Sequence, residues 1–296
     1  MSAQSVLFDL PGPKARRRHL IMGIVGGVAL VGLLAAMVWA LRNELTPQMW
    51  APFANPDTWI AYVLPGLWAT VQAALFAVIL SGVIGVLLGM GRLSQVKIVS
   101  LACGAFVEFF RSVPVLMMML FSYYFFIFNT PITGPTASLA GVVCGLTLYN
   151  SCVIAELVRS GVHSLPKGQT EAGLAIGMTR GQTLNAILLP QAITAMLPSL
   201  LSQLIVVLKD TALGYIITYP ELLQAADRLS AVYGNLIVSY LVVGCIFIVL
   251  NYGLNELAIY VEKRLRRVQA GPLVTVGAVQ PAPQETGPED VLNKRT

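Results

Sequence analysis

Charge is what this sequence has least of. Of 296 residues, 11% are Asp, Glu, Lys or Arg, against about 25% in a soluble domain. Meanwhile 56% are hydrophobic and the mean hydropathy is +0.74. A chain so poor in charge reads as an integral membrane protein. Histidine occurs twice, at His19 and His163. The four cysteines, Cys103, Cys144, Cys152 and Cys245, stand inside apolar runs, with no CxxC or HExxH spacing; this argues against a metal site and against disulfides. No G-x-x-x-x-G-K-[ST] run occurs, so the chain lacks a phosphate-cradling P-loop and does not hydrolyse ATP in the usual way. The net charge of +5 comes from basic residues beside apolar runs, not from a basic face with interleaved aromatics. That pattern speaks for topology and against nucleic-acid binding.

What is present is a series of apolar runs. Residues 1–19 are polar, with a basic group at Lys14, Arg16, Arg17 and Arg18. The run that follows, about 20–41, is long enough for a retained membrane helix of about 20 residues, longer than the apolar core of a signal peptide. Further spans are predicted at about 62–90, 99–128, 138–160, 191–210 and 236–259. The third would be about 45 Å long as one helix, against a hydrocarbon thickness of about 30 Å. It therefore has to break, and Pro114 in "RSVP" is the expected place, because proline removes a donor and disfavours helix in the residue before it. The fold class expected is all-α and polytopic, with six transmembrane helices.

Lys and Arg crowd one side: the group at 14–18, Arg92 and Lys97, Lys167 and Arg180, and the run Lys263, Arg264, Arg266 and Arg267. Arg42 and Arg228 fall on the other. By the positive-inside rule the first side is cytoplasmic, which places both termini in the cytosol. Residues 270–296, rich in Pro and Gly, read as a disordered cytoplasmic tail. No internal repeat is evident, which weakens the case for an inverted-repeat secondary transporter.

Between the fourth and fifth spans lies a cytoplasmic loop, about 163–190, that is unlike its surroundings. "GQTEAGLAI" is expected to form a short helix with Thr170 as its cap and Glu171 in the first turn. Gly177 can end it in a left-handed conformation. "RGQTLNAILL" is expected to form a second helix, stopped at Pro190. Glu171-Ala172-Gly173, then Gly177, then Ile187 and Leu189-Pro190 resemble the EAA loop of bacterial ABC importer permeases, whose pattern is EAA, three residues, G, nine residues, I-x-LP. Gly173 departs from that pattern, at a helix-propensity cost of about 1 kcal/mol. "FFRSVPVLMMML", "AELVRSGVHSLPKGQTEA" and "LKDTALGYIITYPELL" are similar to the polar amino acid uptake branch of that family, over about residues 60–265. The prefix "SVLFDLPGPKARRR" with its extra helix resembles, more narrowly, glutamate permease subunits of actinobacteria.

The resemblance implies a five-helix permease core, 60–265, preceded by one extra helix, in a bacterial plasma membrane. It implies cytoplasmic ATPase subunits that bind ATP and magnesium and grip the loop through Glu171, Ala172, Gly173, Gly177, Met178, Thr179, Ile187, Leu189 and Pro190. It also implies a second permease chain, copy or paralogue, and an extracytoplasmic solute-binding protein. The expected solute is glutamate, with glutamine or a basic amino acid as the alternative within this machinery. An ion-coupled transporter or channel is the alternative of another class.

Ionisable residues inside spans are costly and so tend to face partners or water. Glu108 with Arg111, and Glu156 with Arg159, are spaced to pair within one helix. Arg111 and the broken segment Ser112–Pro114 are candidates for contact with the solute, since a broken helix frees backbone groups to line a cavity. Tyr149, Asn150 and Glu156 are further candidates. Lys209 and Asp210 offer a cation and an anion for a zwitterionic solute, and Thr211 joins them by resemblance to KDTSL-type segments of the family.

Overall fold

The computed structural model describes residues 12–269. The first eleven residues of the polar N-terminal segment and the expected tail at 270–296 lie outside them. Twelve helices follow in order among the described residues: α1 (Pro13–Ala40), α2 (Pro47–Trp50), α3 (Pro56–Thr58), α4 (Leu64–Arg92), α5 (Lys97–Ser112), α6 (Val115–Asn129), α7 (Gly134–His163), α8 (Lys167–Ala175), α9 (Arg180–Thr183), α10 (Leu189–Asp210), α11 (Leu222–Tyr233) and α12 (Leu236–Gln269). Among the described residues five continuous helical runs are long and apolar enough to cross a membrane. The pair α5 and α6 makes a sixth, bent by 101°.

That bend sits where proline chemistry puts it. Val113 is extended (φ −90°, ψ 129°) and Pro114 follows at φ −57°, ψ 136°, so the helix restarts only at Val115. The five continuous spans all exceed their expected lengths, the second and fifth most. The second begins at Pro56 and the fifth runs from Arg180 to Ile217, because short irregular turns continue the helix rather than end it.

α7 is the most buried of the long helices and packs against α4, α5, α6 and α10. The face of α4 that meets the core is built from small residues four apart: Ala69, Ala73, Ala77, Ser81, Gly85 and Gly89 are all buried. In lipid, where apolar side chains gain little by leaving hydrocarbon, such a face lets helices approach closely and supplies the packing energy. Met119 of α6 fills the centre with Leu146 and Val142 of α7 and Val207 of α10. α1 stands apart from this core: its apolar side chains from Leu20 to Trp39 are exposed, as suits a helix with lipid around it.

Where α10 ends, a 3-10 turn (Thr211–Ile217) leads to a corner held against α4. Tyr219 Oη donates to Ala69 O (2.8 Å). Thr70 Oγ1 accepts from Leu222 N (3.1 Å) and donates to Gly66 O (3.0 Å). Glu221, fully buried, caps α11 by accepting from Leu223 N (2.7 Å) and Gln224 N (2.9 Å).

Candidate functional site

The loop at 163–190 is a compact knuckle. α8 starts at Lys167 behind Pro166, so Thr170 lies inside the helix and does not cap it, and Glu171 falls beyond the first turn. The sequence reading put the start too late because Pro166, which cannot donate, opens the helix without a side-chain cap. The far end is as expected: Gly177 has φ +84°, Met178 N donates to Gly173 O (3.1 Å) and Gly177 N to Leu174 O (3.0 Å). This is the Schellman arrangement, and it needs a residue without Cβ at its left-handed position.

Thr179 then caps α9 in a reciprocal pair. Its Oγ1 accepts from Gln182 N (3.3 Å), while Thr179 N donates to Gln182 Oε1 (2.8 Å). Pro190 does not stop the helix. A π-helical turn, Leu184–Leu188, precedes it and α10 continues through it. A wider turn eases the clash between a proline ring and the carbonyl four residues back. Gly173 is buried against α9: a Cβ there would stand 2.6 Å from Thr183 Cγ2 and 3.2 Å from Ile187 Cδ1. Glu171, Ala172, Gly177, Thr179 and Pro190 are exposed on the knuckle, and Met178, Ile187 and Leu189 are half-buried.

The charged candidates converge elsewhere. Glu156 of α7 binds Arg159 (2.6 Å), Arg92 of α4 (2.5 Å) and Arg111 of α5 (3.5 Å). Glu108 pairs with Arg92 (3.5 Å) and not, as its spacing suggested, with Arg111. Arg111 is drawn to Glu156 on the neighbouring helix instead. Ser112 Oγ donates back to Glu108 O (2.8 Å). Deeper in α7, Asn150 is buried and its Oδ1 accepts from Gln203 Nε2 of α10 (2.7 Å), while Tyr149 is half-buried beside it. At the far end of α10, Lys209 is exposed and Asp210 half-buried. Thr211 Oγ1 donates to Leu208 O (2.7 Å). Lys209–Thr211 stand at the end of α10 away from the knuckle, whereas Glu156 lies about two turns from the knuckle end of α7, so the path candidates form separate groups at different levels of the bundle.

Residues 81–267, well over half of the chain, match the family described as the binding-protein-dependent transport system inner membrane component. The chain belongs to that family. Among curated relatives, the glutamate transport system permease protein GluD of Corynebacterium glutamicum is 46% identical over 229 residues, covering 77% of this chain and 84% of the relative. The glutamate/aspartate import permease protein GltK of Escherichia coli is 30% identical over 69% of this chain and 94% of its own length. Among solved structures, one described as an amino acid ABC transporter with histidines superposes with a TM-score of 0.62 at 27% identity, over 68% of this chain and 93% of that one. This protein is therefore an ABC transporter permease, and membership sets aside the ion-coupled alternative.

Sequence reasoning missed two partners in this permease. Arg92 read only as a topology charge, although it is the strongest link between α4 and Glu156; a contact 64 residues apart leaves no local signal. Gln203 stood unremarked in an apolar run, where a lone amide calls for a partner. The reciprocal cap at Thr179 also went unread, although T-x-x-Q ahead of an apolar run has that signature.

Proposed function

We propose that this permease imports glutamate as one of two membrane chains in an ABC importer. The likeness to a glutamate permease at 46% identity is the observation that carries the solute. In this reading both termini are cytoplasmic, as the distribution of Lys and Arg favours, and an extracytoplasmic binding protein delivers the solute to the opposite face. Separate ATPase subunits hold ATP and magnesium and grip the knuckle. The second membrane chain is a copy or a paralogue.

The knuckle suits a mechanical handle. Its two short helices are locked by the Gly177 motif, by the Thr179–Gln182 pair and by Gly173 packed on Thr183, and it continues through the π turn into α10. A push on α8 or α9 thus reaches a membrane span through rigid helix. ATP binding closes the ATPase pair, the knuckle moves with it, and α7 and α10 shift to open the passage outward; hydrolysis resets it. Arg111 with Ser112–Pro114, Tyr149, Asn150 and Glu156, and Lys209–Thr211, are the residues proposed to shape the path.

The test is reconstitution in vesicles with the ATPase and binding protein. Labelled glutamate is expected to accumulate only with hydrolysable ATP and to be displaced by unlabelled glutamate, not by glutamine or arginine. Displacement by glutamine alone would reassign the solute, and uptake without the ATPase would remove the proposed drive.

A further inference from the structure

A cavity of about 730 Å³ separates the coupling knuckle from the corner that joins α4 to α5. Each wall is fixed locally. In the corner, Ser94 Oγ accepts from Val96 N (3.2 Å) and Ser100 Oγ donates to Arg92 O (2.8 Å); the knuckle is held by its Gly177 and Thr179 motifs. No hydrogen bond among the described residues joins one wall to the other.

The lining has two chemistries. Leu93, Val99, Val162, Leu174, Leu184 and Leu188 make it apolar, while Gln95, Asn185 and Arg180 bring polar groups to its exposed edge. Arg180 is the one charge in that lining, and it makes no ion pair among the described residues. Lys97, beside the lining residue Val96, and Lys167, one turn ahead of the lining residue Thr170, are both exposed nearby. Against these three cations the knuckle sets one carboxylate, Glu171. The apolar part leads outward along α5: Ala102 follows Val99 by three residues and Ile98 by four, all three are exposed, and Ile98 is 80% exposed. An unbroken apolar surface thus joins the cavity to the open side of that helix.

We infer that this cavity binds an anionic phospholipid of the cytoplasmic leaflet, its phosphate met by Arg180 with Lys97 and Lys167 close by, and an acyl chain laid over Val99, Leu184 and Leu188. This rests on the orientation proposed above, which puts the knuckle on the cytoplasmic side. A guanidinium and side-chain amides supply donors for phosphate oxygens. Apolar walls hold water poorly, a soluble anion would leave them uncovered, and hydrocarbon fits them. The lipid spans two pieces that no hydrogen bond connects, so the knuckle moves against a joint filled by the bilayer itself.

The experiment is tryptophan quenching by brominated lipid in the transporter assembled with its ATPase, in vesicles of equal parts phosphatidylcholine and phosphatidylglycerol. Val99→Trp reports on the cavity. Leu101→Trp, 75% exposed on another side of α5, reports on bulk lipid, and each is read as the difference from the parent chain. Bromine is carried on the chains of one lipid and then of the other. A cation near an anionic headgroup changes its occupancy about fivefold, so brominated phosphatidylglycerol is expected to quench Val99→Trp several-fold more than brominated phosphatidylcholine, with the two equal at Leu101→Trp. Arg180→Gln combined with Lys97→Gln, both at exposed positions, is expected to remove the preference. Equal quenching of Val99→Trp by the two lipids overturns the inference, and so does a preference that survives the double substitution. Quenching by neither lipid also overturns it, assigning the cavity to the ATPase or to water. Uptake in the same vesicles reports separately on the importing role: a lost lipid preference with uptake intact leaves that role standing, and a lipid preference without uptake leaves the site standing.

Discussion

Gly173 and Thr183 touch so closely that a methyl group on the first would stand 2.6 Å from the second's Cγ2 and 2.8 Å from its Oγ1. Alanine, the residue the family pattern carries here, is the better helix former by about 1 kcal/mol. Overpacking costs about 1–3 kcal/mol, and the obstacle is a branched side chain anchored at its own Cβ, with little room to swing away. The clash wins. Gly173→Ala is therefore expected to loosen the knuckle and lower ATP-driven uptake several-fold, while Thr183→Ala in the same chain restores most of it. Uptake per assembled complex measures both. Unchanged uptake in the single variant would count against the packing argument.

Glu156 is the common anion of three arginines from three helices, and Arg92, its closest partner, has a side chain only 11% exposed. Removing one member of a buried pair strands the other at about 3–5 kcal/mol. Glu156 itself is 24% exposed, so water softens the loss to about 2 kcal/mol. Glu156→Gln should lower the thermal midpoint in lipid nanodiscs by several degrees, and Arg92→Ala by a similar amount. Glu108→Gln should change little, since that carboxylate is 74% exposed. Equal effects from Glu108 and Glu156 variants would show that the cluster is not organised around Glu156.

The parts of this fold that were legible in sequence are those governed by local rules. Apolar runs mark spans because a helix needs about 20 such residues to cross. Pro114 marks a break because the residue before proline is pushed out of the helical region, and Gly177 marks an end because its position demands φ above zero. The same rules misled where a neighbour intervened. Pro190 looked like a stop, but the π turn ahead of it let the helix run on. Thr170 looked like a cap, but Pro166 had already opened the helix. Glu108 and Arg111 had pairing spacing, yet Arg111 met a carboxylate on another helix.

Glu221 sits between the fifth and sixth spans, buried at the corner where Leu222 is tied to α4. Burial pushes its carboxyl up to about 7 from an ordinary 4.5, with the backbone donors Leu223, Gln224 and Leu222 pulling partly the other way. Below pH 4.5 the group is protonated both folded and unfolded, and it has no effect on stability relative to that state. Between 4.5 and about 7 the folded protein keeps a proton that the unfolded chain releases. Stability therefore falls as pH rises through this window, and by pH 7 and above the loss approaches about 3 kcal/mol. Thermal midpoints of the purified transporter between pH 5 and 8 should decline accordingly, levelling off above about 7. Glu221→Gln, which keeps one acceptor for the α11 cap, should flatten that slope. A slope that survives the substitution would assign the pH dependence to another group.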